Sequence, residues 1–115
     1  MKEKEWITDE MMKTGELNLL GSIWYHPEMY EEIRSILEPT DFLWATHRCM
    51  YQAFGQSIKD TGTILYPNVF RYCIIEGTRE ILAYLLRGVD EDWNPVTQAK
   101  TLKQAVEIRL RNKNE

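Results

Sequence analysis

The sequence has little of what most directly names a chemistry. Its two cysteines, Cys49 and Cys73, lie far apart and outside any CxxC pair or zinc-ligand spacing, which excludes a disulfide framework and a cysteine-rich metal site. Each reads as a reduced, small core residue. The two histidines, His26 and His47, show no HxxxH or HxxE spacing, so no metal centre is written into the pattern. There is no GxxxxGK[ST], which removes P-loop nucleotide hydrolysis from what these residues do. No apolar run approaches the roughly 18 to 20 residues of a membrane span, and the start, MKEKEWITDEMMK, lacks the apolar stretch of a secretory signal. A cytoplasmic address is the default expectation. No segment alternates convincingly with period two, which argues against a sheet.

What is present suits one soluble globular domain. At 115 residues, with 43% apolar and 28% charged residues, the chain can bury a core without a disulfide or a metal. The net charge of −4 is uneven: from Lys100 onward five basic residues (Lys100, Lys103, Arg109, Arg111, Lys113) face Glu107 and Glu115, a net +3 against −7 elsewhere. Overall acidity argues against tight binding to duplex nucleic acid, whose affinity comes largely from phosphate neutralisation. The basic tail leaves a small single-stranded nucleic-acid-binding protein as a further reading.

The periodicity is helical nearly throughout. Leu17, Leu20, Ile23 and Trp24 form one stripe between Glu16 and Tyr25, and Gly21 inside it predicts a close contact with another helix. Pro27 opens a second helix whose Tyr30, Ile33 and Leu37 face inward until Pro39 stops it. Thr40 or Asp41 is expected to cap a third helix carrying His47, Met50, Tyr51, Phe54 and Ile58, closed by Gly62. A fourth is expected from about Asn68 to Glu76. A fifth follows Gly77 and Thr78, carries Ile81, Leu82, Leu85 and Leu86, and ends at Gly88. The last starts near Pro95 with Ala99, Leu102, Val106 and Leu110 on its stripe. The fold class is therefore all-α, a single compact orthogonal bundle of about six short helices. Residues 1–13 are read as an N-terminal arm, expected to be partly disordered, and 14–112 as the helical domain.

The stretch DFLWATHRCMYQAF places Asp41, His47 and Cys49 within nine positions. On a helix, positions 47 and 49 point about 200° apart, so His47 and Cys49 do not converge as a nucleophile and its base. His47 is expected to be a buried or half-buried helix residue, hydrogen-bonded at one nitrogen. The pair Glu31–Glu32 and the triplet Asp90–Glu91–Asp92 read as solvated charge rather than acid/base or metal machinery. Of four tryptophans, Trp24 and Trp44 read as core, and Trp6 and Trp93 as exposed contact residues. No catalytic residue, cofactor site or metal site follows.

The ordered features resemble the N-terminal domain of DnaB-type replicative helicases. Glu16, Leu19, Leu20 and Gly21 match that family's first helix; Ile36, Leu37, Pro39, Asp41 and Phe42 match its next entry; His47, Arg48, Tyr51 and Phe54 match the aromatic-rich helix that Gly62 ends. Tyr84, Leu85 and Leu86 resemble the Tyr–Leu helix, and Asn94, Ala99 and Arg109 keep the family's spacing, so that the match covers most of residues 16–110. Two departures, Ile64–Leu65–Tyr66 after the third helix and no paired glycine before the Tyr–Leu helix, mark the chain as divergent.

The resemblance implies a non-catalytic head domain of DNA replication that supports ring assembly and docks primase or a helicase loader. Its ATPase and unwinding chemistry would belong to a C-terminal domain outside this chain, which stops within the first helix of the family's hairpin. Without that hairpin a monomer or weak dimer is expected. The alternative is a stand-alone phage or mobile-element regulator that binds helicase, primase or loader. Helix phase selects Tyr72, Arg79, Arg87, Trp93 and Arg109 as candidate partner contacts, residue types in which binding energy concentrates.

Overall fold

The computed structural model describes residues 7–87 and 94–114. Helix α1 (Asp9–Tyr25) begins where the Thr8 hydroxyl accepts a hydrogen bond from the Met11 N–H at 3.1 Å, with Asp9 and Glu10 placed favourably in its first turn. The helix thus starts before the Glu16 expected from the apolar stripe and takes up residues 9–13 assigned to the arm. Met12, Glu16, Leu19, Leu20, Gly21 and Ile23 are on its buried side, and Leu17 is half-buried. Pro27 cannot continue α1, and a 3-10 turn (Pro27–Met29) leads into the short α2 (Tyr30–Arg34). Tyr30, Ile33 and Leu37 are buried, as their spacing predicts.

A second 3-10 turn (Pro39–Asp41) precedes α3 (Ala45–Thr61). Asp41 corrects the expected cap: its carboxylate accepts from the Glu38 N–H at 2.8 Å, closing the 3-10 turn, whereas the residue before α3 is Trp44 with no side-chain cap. Gly62 ends α3 at φ +85°, in the left-handed region that a side chain would strain. Gly55 has a different reason: a β-carbon there would lie 2.5 Å from the Tyr30 hydroxyl, so its absence lets α3 close on Tyr30.

The link after Gly62 is held by two hydroxyls. Thr61 Oγ1 lies 2.9 Å from the Thr63 carbonyl oxygen and accepts from the Thr63 N–H at 3.3 Å. Ser57 Oγ donates to the Thr63 carbonyl at 2.8 Å and accepts from the Leu65 N–H at 2.9 Å, turning the chain into α4 (Tyr66–Tyr72). This helix is shorter than the expected span to Glu76, and Ile74 and Ile75 lie in the link to α5 (Thr78–Leu86). Asn94 caps α6 (Pro95–Asn114), accepting from the N–H groups of Val96 and Thr97 at 2.9 and 3.1 Å.

Six α-helices and no strand occur among the described residues. Helix α3 packs against α1, α4 and α5, while α6 lies along α1 and touches α2. Helices α1 and α6 run antiparallel, because Ser22 meets Gln98 at one end and Arg109 meets Ile7 and Asp9 at the other. The centre is aromatic: Tyr51 lies 4.7 Å from Phe42 and 5.5 Å from Tyr30 between ring centroids. Trp24 and Trp44 pack partly buried against this core, as expected of them. Two stripe residues depart from expectation: Leu86 and Leu110 are exposed, at the ends of α5 and near the end of α6, where no described helix covers them.

Burial of acidic groups makes the fold sensitive to alkali. Burial pushes the Cys73 thiol up from 9.0 to about 11, and raises the Tyr51 and Tyr30 phenols above their ordinary 10.0. The folded chain holds these protons more tightly than the unfolded one, so stability is full below about pH 9 and falls as pH rises. At roughly 1.4 kcal/mol per unit, Cys73 alone accounts for about 2 kcal/mol between pH 9 and 11. Urea midpoints measured at pH 8, 10 and 11 should fall at the two higher values, and less steeply in Cys73→Ala, each shift equalling the stability change divided by m. A flat profile to pH 11 would contradict this account.

Candidate interaction surface

Chemistry-bearing residues in this fold are mostly committed to holding it. Glu16 of α1 is fully buried; one carboxylate oxygen accepts from His47 Nδ1 at 2.8 Å and the other from the Leu43 N–H at 2.8 Å. The expectation that His47 is buried and bonded at one nitrogen holds, and the bond joins α1 to the start of α3. Cys49 points elsewhere, its Sγ 3.5 Å from the Tyr72 carbonyl oxygen beside α4. His47 and Cys49 therefore serve opposite sides of α3. Among the described residues no three or more His, Cys, Asp or Glu side chains are grouped to hold a metal ion.

The basic tail is partly spent within the molecule. Lys103 Nζ lies 3.1 Å from both Asp41 carboxylate oxygens, and Arg109 donates to the Ile7 carbonyl and the Asp9 carboxylate, each at 2.7 Å. These bonds pin α6 to the second 3-10 turn and to the start of α1, leaving Lys100, Arg111 and Lys113 as its exposed cations.

The five candidate contact residues are not gathered in one place. Tyr72 and Arg79 flank the corner between α4 and α5. Tyr72 is half-buried and donates its hydroxyl to Asp60 at 2.6 Å, a bond to a carboxylate that raises the phenol's pKa. The Arg79 guanidinium lies 4.0 Å over the Phe70 ring, which is itself stacked on Tyr66 at 5.8 Å. Arg87 is exposed just after α5; Arg109 makes the clasp described above; Trp93 lies outside the described residues.

The α4–α5 corner also carries what helix phase concealed. Ile74 is 83% exposed, and Leu65, Tyr66 and Ile75 are exposed as well. Tyr72, Ile74 and Ile75 help line an open groove of about 710 Å³, together with residues of α2 and α3 such as Arg34, Gln56 and Lys59. Reading 68–76 as one helix hid the two isoleucines; the turn signal of Gly77 was visible, but not that α4 stops at Tyr72. The corner thus brings exposed apolar side chains together with an aromatic pair and an arginine, residue types in which contact energy concentrates elsewhere.

A family model described as "DnaB-like helicase N terminal domain" matches residues 12–104, most of the chain. No curated protein and no solved structure matches it.

Proposed function

The chain belongs to the DnaB-like helicase N-terminal domain family, and from that premise we propose that it is a non-catalytic interaction domain of DNA replication. In this reading it supports assembly of a helicase ring and docks primase or a helicase loader, in the cytoplasm, through the α4–α5 corner. The observation that carries the reading is the family match over 12–104. The exposed isoleucines and the Arg79–Phe70–Tyr66 stack support the choice of surface, because aromatic and arginine anchors concentrate binding energy. Among the described residues no helix is long and apolar enough to cross a membrane.

The test is direct titration of the purified chain with purified helicase, primase and loader from the same replication system. Binding to at least one is expected. The double variant Ile74→Asp, Arg79→Ala should weaken it at least about tenfold, equivalent to about 1.4 kcal/mol, with little change in the unfolding midpoint. Absence of binding to all three would refute the function, and full binding by the double variant would refute the surface.

A further inference from the structure

A second groove, of about 610 Å³, runs between the second 3-10 turn and the C-terminal half of α6. Its floor is apolar: Met12 and Phe42 are buried beneath it, and Val106 is half-buried. Leu43 and Leu110, also in its lining, are exposed large apolar side chains. Around them stand Arg48, Arg109 and Lys113. The single acidic lining residue, Asp41, is already engaged by Lys103 and by the Glu38 N–H. Arg109 is likewise balanced by Asp9 at 2.7 Å, so the positive charge this groove presents to a visitor comes from Arg48 and Lys113, on a chain whose remainder is acidic.

We propose that this groove docks an acidic protein segment carrying a large apolar side chain. That side chain would lie between Leu43 and Leu110 over Met12 and Phe42, and neighbouring carboxylates would meet Arg48, Arg109 and Lys113. Donors remain for this purpose. A guanidinium has five N–H groups; Arg48 uses Nε toward the Pro39 carbonyl and Nη2 toward the Phe42 carbonyl, and the Nη atoms of Arg109 hold the Ile7 carbonyl and the Asp9 carboxylate. These internal bonds also fix the two guanidinium planes before any partner arrives, which reduces the ordering that binding requires. Nucleic acid fits less well: Phe42, the aromatic ring in the lining, is buried and offers no face for a base, and the floor has no use for a sugar–phosphate chain. The inference goes beyond the α4–α5 corner and does not depend on it.

The experiment is fluorescence anisotropy with the full chain and a fluorescein-labelled peptide of repeated Asp-Leu-Glu units. Comparison probes are Asp-Ser-Glu repeats, Lys-Leu-Lys repeats and oligo-dT. The Asp-Leu-Glu peptide should bind, and binding should weaken severalfold when salt rises from about 50 to 500 mM, because exposed charges are screened. Leu110→Asp and Lys113→Glu, both at exposed positions on α6, should each weaken it at least about tenfold, while Ile74→Asp at the other corner leaves it unchanged. Far-ultraviolet dichroism and unfolding midpoints verify that the variants are folded. The proposal is overturned if the peptide does not bind, if the α6 variants bind as the parent does, if Ile74→Asp abolishes binding, or if any comparison probe binds equally well. Failure here leaves the α4–α5 reading untouched, since that is tested with different partners and different variants.

Discussion

Glu16→Ala is expected to destabilise the domain by about 3–5 kcal/mol, the range for removing one partner of a buried charged or hydrogen-bonded pair. The size follows from burial: Glu16 and His47 are 0% and 1% exposed, so water does not replace the lost carboxylate. Two donors lose their acceptor together, His47 Nδ1 and the Leu43 N–H. Glu16→Gln should lose less, about 1–3 kcal/mol, because its amide oxygen serves one donor while its NH₂ group faces the other. Changing both partners to apolar residues, Glu16→Met with His47→Leu, should recover most of the loss, as apolar replacements of buried pairs often do. The recovery stays incomplete because the Leu43 N–H still lacks its acceptor. Urea unfolding at constant m reads all three, and a double-mutant cycle separates the pair from its surroundings. A loss below about 1 kcal/mol for Glu16→Ala would show that this bond does not hold α1 against α3.

Tyr51→Ala should remove about 3–5 kcal/mol, the usual loss on truncating a core aromatic residue. Tyr51 is 1% exposed, lies between Phe42 and Tyr30, and donates its hydroxyl to the Leu37 carbonyl at 2.9 Å. Tyr51→Phe separates these contributions. It keeps the ring contacts and orphans only the carbonyl, for an expected loss of about 1–3 kcal/mol. Since domains of this kind are stable by only about 5–15 kcal/mol, the alanine variant should be largely unfolded in mild denaturant where the phenylalanine variant is not. Equal losses in the two variants would mean that the hydrogen bond, not the ring packing, carries Tyr51's contribution.

Both residues were visible in the sequence, but for different reasons. Tyr51 fell on the apolar stripe of α3 with Met50 and Phe54, and a stripe reports burial whatever lies opposite. Glu16 entered through the family resemblance, and its physical task was hidden because its partner His47 is 31 positions away. Asp41 shows the same limit. A cap was legible from its place after Pro39, yet the turn it closes is the 3-10 turn, and its second partner, Lys103, comes from 62 positions downstream. Arg109 likewise stood out as a basic residue on a helix face, with no local sign that its guanidinium would reach Ile7 and Asp9.

Helix number, the inward faces of α1 to α3 and the turn at Gly62 were thus legible along the chain, because periodicity of about 3.6 residues, prolines and a left-handed glycine act within a few residues of themselves. The Glu16–His47 bond, the clasping of α6, the exposure of Ile74 and the two grooves arise between segments distant in sequence. They depend on which helices meet and where each one stops, and packing sets those against competing local preferences.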